Sequence, residues 1–104
     1  MSTFTTAGLV ATEPRFLTTS EGLKIVAFRL SVPTTTTSNW FTVTAFGDLA
    51  VNVTEAVSKG DRIIVSGELN IREWDTDSKP VTVLEIVAGL VGHDLNFRAS
   101  NDAE

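Results

Sequence analysis

A chain of 104 residues with 42% hydrophobic residues is long enough to bury one hydrophobic core without metal or disulfide staples. The absence of cysteine excludes disulfides, thiolate nucleophiles and thiolate metal sites, and fits a reducing compartment. Eight Lys and Arg against thirteen Asp and Glu give a formal charge of −5, the wrong sign for holding a polyanion by bulk charge, so a nucleic-acid partner requires basic groups segregated onto one face.

One domain is expected over residues 1–97, with "RASNDAE" at 98–104 a short polar tail that frays. No apolar run reaches the roughly 18 residues that span a bilayer, and "MSTFTTAGLVATEPR" has no basic leader followed by an apolar stretch. A soluble, cytoplasmic chain without membrane contact is the expectation.

Five strands are predicted in chain order, each rich in Val, Ile, Thr and aromatics: "FTTAGLVA" (4–11), "KIVAFRLSV" (24–32), "WFTVTAF" (40–46), "DRIIVSGELNIREW" (61–74) and "PVTVLEIVAGLV" (80–91). "TEPR", "TSEG", "PTTTTS" and "DTDSK" separate them as turn-prone clusters. Between the third and fourth strands, Leu49, Val53, Ala56 and Val57 recur at helical spacing, with Asp48 placed to cap the helix and Gly60 to terminate it. The order β-β-β-α-β-β predicts an all-β chain with one short helix: an OB-fold, the five-stranded, partly open Greek-key barrel that binds oligonucleotides and oligosaccharides.

Side chains alternate along a strand, so parity sorts each strand into two faces. In the second strand Val26, Phe28, Leu30 and Val32 oppose Arg29 and Ser31. In the third, Phe41, Val43 and Ala45 oppose Trp40, Thr42, Thr44 and Phe46. In the fourth, Ile63, Val65, Leu69 and Ile71 oppose Ile64, Ser66, Glu68, Asn70, Arg72 and Trp74. The fifth is apolar on both faces, which calls for cover on both sides, by barrel and helix or by another subunit. The first is a plausible edge for pairing between chains.

Both tryptophans and Phe46 thus fall on the wetter faces, beside Arg29 and Arg72. Nucleobases suit such rings, because stacking a base on an aromatic is worth about 1–3 kcal/mol without selecting sequence. The bland reading buries the same rings against a subunit partner or in the barrel's own closure, and Phe46, next to Gly47, is the ring best placed to plug the barrel beneath the helix. Arg29, Lys59, Arg62, Arg72 and Lys79 are the basic side chains available for phosphate, and Thr42 and Thr44 the polar ones beside the rings. An enzyme is not expected: no nucleophile–base pair, metal cluster or phosphate-binding glycine loop stands out, and no cofactor is implied. His93, beside Asp94, is read as a structural or surface group, and Glu68 and Glu85 as residues that solvate a strand face.

Four stretches together resemble the bacterial single-stranded DNA-binding proteins. They are "WFTVTAFGDLA", "VSKGDRIIVSGEL", "REWD" and the early "AGLVATEPR", and the likeness runs from about residue 4 to about residue 97. It implies an OB-fold that assembles as a homotetramer, binds single-stranded DNA without sequence preference and needs no cofactor. Trp40, Phe46 and Trp74 fall on positions that stack bases in that family, and Arg72 on one near the DNA path. The tasks implied are DNA replication, repair, recombination or uptake, on nucleoid DNA.

The chain departs from the pattern at four places. "PTTTTS" lacks an aromatic, Asp48 stands where Lys is frequent, "SKPV" lacks a hairpin aromatic, and "RASNDAE" is no counterpart of the long acidic tail through which the family recruits replication and repair proteins. Fewer bases held per subunit and little recruitment are therefore expected, as in a short paralogue or a trimmed chain. The rival reading is an OB-fold protein-interaction module of a replication or primosome complex with weak nucleic-acid binding. The charge of −5 favours it, and the intact Trp, Phe and Arg-x-Trp pattern speaks against it.

Overall fold

A computed structural model describes residues 3–33 and 38–96. These form strands β1 (Thr3–Val10), β2 (Arg15–Thr18), β3 (Lys24–Pro33), β4 (Ser38–Phe46), helix α1 (Gly47–Ala56), and strands β5 (Arg62–Asp75) and β6 (Pro80–His93). Pairing runs β1–β5–β6–β4–β3 and returns to β1 through Leu9↔Ser31 and Val10↔Leu30. β4 and β6 pair in parallel, whereas the other neighbours are antiparallel. This is the strand ring of the OB-fold with its helix after the strand that ends at Phe46, as the sequence order indicates.

One strand is additional, so the order is β-β-β-β-α-β-β. β2 lies where only turns were expected, and pairs with β3 from Arg15↔Ala27 to Thr18↔Lys24. All four of its residues are exposed, so it carries no alternation of buried and wet positions that would mark it in the sequence. It extends β3 outward as a hairpin rather than joining the ring.

The core holds the predicted parity. Val26, Phe28, Leu30, Phe41, Val43, Ala45, Ile63 and Val65 are buried, together with Val10 from β1 and Ile86 from β6. Ala50, Val53 and Val57 of the helical segment join the same cluster, so packing rather than propensity holds α1 in place. Two expectations for its ends are corrected. Its N-cap is Phe46, with no side-chain cap, and Asp48 sits in the first turn, where a carboxylate favours the helix dipole. The helix ends at Ala56, and Gly60 (φ +98°) serves the next turn instead, its N–H donating to the Val10 carbonyl at 2.8 Å.

β6 resolves the question of two apolar faces. Opposite β5 its register steps from Ser66↔Leu90 to Gly67↔Ala88, leaving Gly89 as an extra residue, a β-bulge that inverts the parity of the rest of the strand. Ile86 and Ala88 face the core before the bulge and Val91 packs against it after, while Leu90 is left 71% exposed. Gly67 is required at the crossing, since a Cβ there would overlap the Val87 carbonyl. Gly8 is needed for a similar reason where β1 crosses onto β3: its Cβ would stand 2.6 Å from the Ser31 carbonyl oxygen. That crossing also qualifies β1 as an edge, because Leu9 and Val10 already pair with β3. Ile71 shares the core parity yet is 59% exposed, because the β5–β6 hairpin runs on beyond the barrel and its residues 71–80 are all exposed.

Candidate nucleic-acid interface

Residues paired across a sheet share a face, so the strand registers map the outer surface of β2, β3, β4, β6 and β5 into rows. One row is Leu17–Ile25–Phe46. The next is Arg15–Ala27–Thr44–Val87–Glu68. Then comes Arg29–Thr42–Glu85–Asn70. Beyond it Ser31 pairs with Trp40 and Val83 with Arg72, Trp40 and Val83 lining one cleft with Arg29, Thr42, Thr82 and Leu84. Val81 and Trp74 pair one step further out on the hairpin. Successive rows are one pleat repeat apart, about 7 Å, so Phe46 and Trp40 lie roughly 20 Å apart along β4.

All three rings stand in the open: Trp40 is 48% exposed, Trp74 48% and Phe46 41%. Phe46 therefore does not plug the barrel; it faces outward beside Ile25. The Arg29 guanidinium lies over the Trp40 ring at 5.4 Å from its centroid, a cation–π contact that leaves a flat, positively charged corner. The cleft beneath opens because β4 and β6 pair only from Thr42↔Glu85 to Thr44↔Val87, and the strands separate beyond Thr42.

The outer rows bring together Arg29, Trp40, Thr42, Thr44, Phe46, Arg72 and Trp74 from the sequence-derived set. Lys79 sits at the tip of the same hairpin, where Asp75 pairs with Pro80. Lys59 and Arg62 lie elsewhere. Lys59 is in the turn after α1, and Arg62 pairs with Leu9 on β1, ten residues before Arg72, or roughly 33 Å along the strand. His93 has a structural contact, its Nε2 lying 3.1 Å from the Ala56 carbonyl at the end of α1. The Asp94 side chain accepts from the Asn96 backbone N–H at 3.0 Å.

Two members of the surface escaped sequence reasoning. Arg15 enters through β2, which has no pattern of its own; the turn at Gly22 (φ +89°) was the available signal, since a hairpin there aligns Arg15 with Ala27. Glu85 is the other. Its Oε1 accepts from Arg72 Nη2 at 2.9 Å, and its Oε2 from Thr44 Oγ1 at 3.2 Å. A carboxylate thus occupies the middle of the outer surface, and separation of acid from base is incomplete. The sequence marks Glu85 as a residue that solvates a strand face, but only the sheet register shows that Arg72 and Thr44 converge on it.

The arrangement has counterparts among known proteins. The model of the single-strand binding protein family matches residues 1–94. The chain is 42% identical to single-stranded DNA-binding protein 2 of Tropheryma whipplei (strain Twist) over 111 aligned residues, covering 96% of this chain and 73% of that one. It is 34% identical to single-stranded DNA-binding protein 1 of Streptomyces coelicolor, over 85% of this chain and 63% of that one. Among solved structures, the small single-stranded DNA-binding protein from Streptomyces coelicolor superposes with a TM-score of 0.83 at 33% identity, covering 91% of this chain and 95% of the other. The strand ring, the helix after β4 and the match across nearly the whole described chain lead to one conclusion: this chain belongs to the single-strand binding protein family.

Proposed function

We propose that the chain binds single-stranded DNA without sequence preference, laying bases on Trp40, Phe46 and Trp74 across the outer rows of β4, β6 and β5. The observation that carries this reading is the exposure of three large rings on one continuous surface, with the Arg29 guanidinium over Trp40. Flat rings stack on any base, so affinity comes without sequence selection. Arg29, Arg15 and Arg72 meet phosphates, Lys79 extends the path at the hairpin tip, and Thr42 and Thr44 supply polar contacts between the rings. Lys59 and Arg62, off this surface, add to the long-range field rather than to direct contacts. The work of the site is a binding equilibrium, with no catalytic step, in the cytoplasm on nucleoid DNA exposed by replication, repair, recombination or uptake. Family membership supports this reading over a protein-interaction module.

The same reading makes the protein a homo-oligomer, a homotetramer by family likeness. A second exposed apolar surface is available for it: Leu9, Ile64 and Leu90 lie on the outer face of β1, β5 and the end of β6, separate from the aromatic rows, and are 38%, 41% and 71% exposed. Another copy of the chain seated there leaves the rings open to DNA.

Titration of intrinsic tryptophan fluorescence with oligo-thymidine tests the proposal, since Trp40 and Trp74 are the two tryptophans. Strong quenching by the single strand, absent with duplex of equal phosphate content, is expected. Affinity should fall with salt by a log–log slope of about −0.7 per neutralised phosphate. No quenching at low salt overturns the assignment of these rings.

A further inference from the structure

Resting on the reading of the outer rows as the DNA surface, we propose that Glu85 sets the strength of strand binding by holding Arg72, as an internal stand-in for a DNA phosphate. Carboxylate and phosphate are alternative partners for the same guanidinium fork. Here the carboxylate is already in place. The Glu85 side chain is only 16% exposed whereas that of Arg72 is 66% exposed. The acid is therefore fixed in the sheet, and the arginine reaches to it from the side that faces a bound strand. Both oxygens of Glu85 are engaged, one by Arg72 on β5 and the other by Thr44 on β4, so the carboxylate cannot simply swing away as phosphate arrives.

A strand crossing from Phe46 to Trp40 passes the row that contains Glu85. Its phosphates meet two arginines differently prepared: Arg29 presents its charge stacked on a ring, whereas Arg72 already holds a carboxylate partner. Phosphate must share or displace the carboxylate to use Arg72. Binding then releases less counterion than the number of arginines suggests, and the salt dependence is correspondingly shallow. The outcome is a surface that grips bases through its rings and lets the backbone go readily.

The test uses Glu85→Gln, which keeps the shape and one of the two accepting oxygens while removing the charge, with Arg72→Gln and the double variant, each titrated with oligo-thymidine across a salt series. Glu85→Gln should bind roughly fivefold tighter near 0.1 M salt, the upper range for a surface ion pair, and its log–log slope should steepen by roughly 0.7, one further phosphate. In the Arg72→Gln background the same substitution should leave the slope unchanged. An equal change in both backgrounds overturns the proposal, because the carboxylate then acts by plain repulsion and not through Arg72. Weaker binding by Glu85→Gln with an unchanged melting temperature also overturns it, since Glu85 then assists binding. If Glu85→Gln lowers the melting temperature, Glu85→Asp, which keeps the charge but shortens its reach to Arg72, must still steepen the slope; an unchanged slope rejects the role. Absence of quenching in the unsubstituted chain rejects the DNA surface itself, a result separable from these.

Discussion

The two faces of β4 differ in what their aromatic residues do. On the inner face Phe41 is 6% exposed and its ring packs 5.5 Å from that of Phe4, while on the outer face Trp40, its neighbour in sequence, is 48% exposed with the Arg29 guanidinium over it. Alternating side chains put adjacent aromatics on opposite sides of one sheet. Burial turns the inner ring into fold stability. The outer ring leaves large apolar area in water, which is useful only if a ligand covers it.

The sharpest way to break that contrast is Phe41→Ala. It removes a buried ring and should cost about 3–5 kcal/mol of stability, read as the shift in a denaturant midpoint with oligo-thymidine absent. A loss below about 1 kcal/mol, far under the usual cost of deleting a core ring, would mean that the inner face of β4 is not a packed core. Next in size, Trp40→Ala and Trp74→Ala should each weaken strand binding by about 1–3 kcal/mol while leaving the midpoint unchanged, the remaining tryptophan reporting each titration. Unfolding of either variant would place that ring with Phe41 rather than opposite it. The smallest effect sharpens the map of the outer face: Arg29→Gln should make the salt slope shallower by roughly 0.7, whereas Lys59→Gln, in the turn after α1, should leave it unchanged. An equal loss in both variants would show that charge acts through the general field and not row by row.

Hydrophobic alternation made β3 and β4 legible because each buries one face continuously: Val26, Phe28 and Leu30 on β3, and Phe41, Val43 and Ala45 on β4, read correctly from spacing alone. β2 was illegible because a wholly exposed hairpin strand buries nothing and so leaves no period. Ile71 misled for the opposite reason. It has core parity, but the hairpin outruns the barrel that would bury it. Helix α1 was found from its apolar spacing, while its cap was missed because backbone geometry at Phe46, with no side-chain bond, starts it.

The outer site divides in the same way. Trp40, Phe46, Trp74, Arg29 and Arg72 could be assigned to wet faces within single strands, since parity is a local property of the backbone. Which of them stand next to one another depends on register between strands far apart in sequence, and this only the tertiary structure decided. Thr44, Arg72 and Glu85 come from β4, β5 and β6 and meet because Thr42↔Glu85 and Asn70↔Glu85 fix those strands side by side. On β3 and β4 the sequence by itself determined which residues face water and which face the core, because that comes from a two-residue repeat; where a bulge shifts β6 and a hairpin outruns the barrel on β5, the tertiary structure decided. The charge pairing that governs how Arg72 is presented arises instead from long-range strand pairing, which no local pattern encodes.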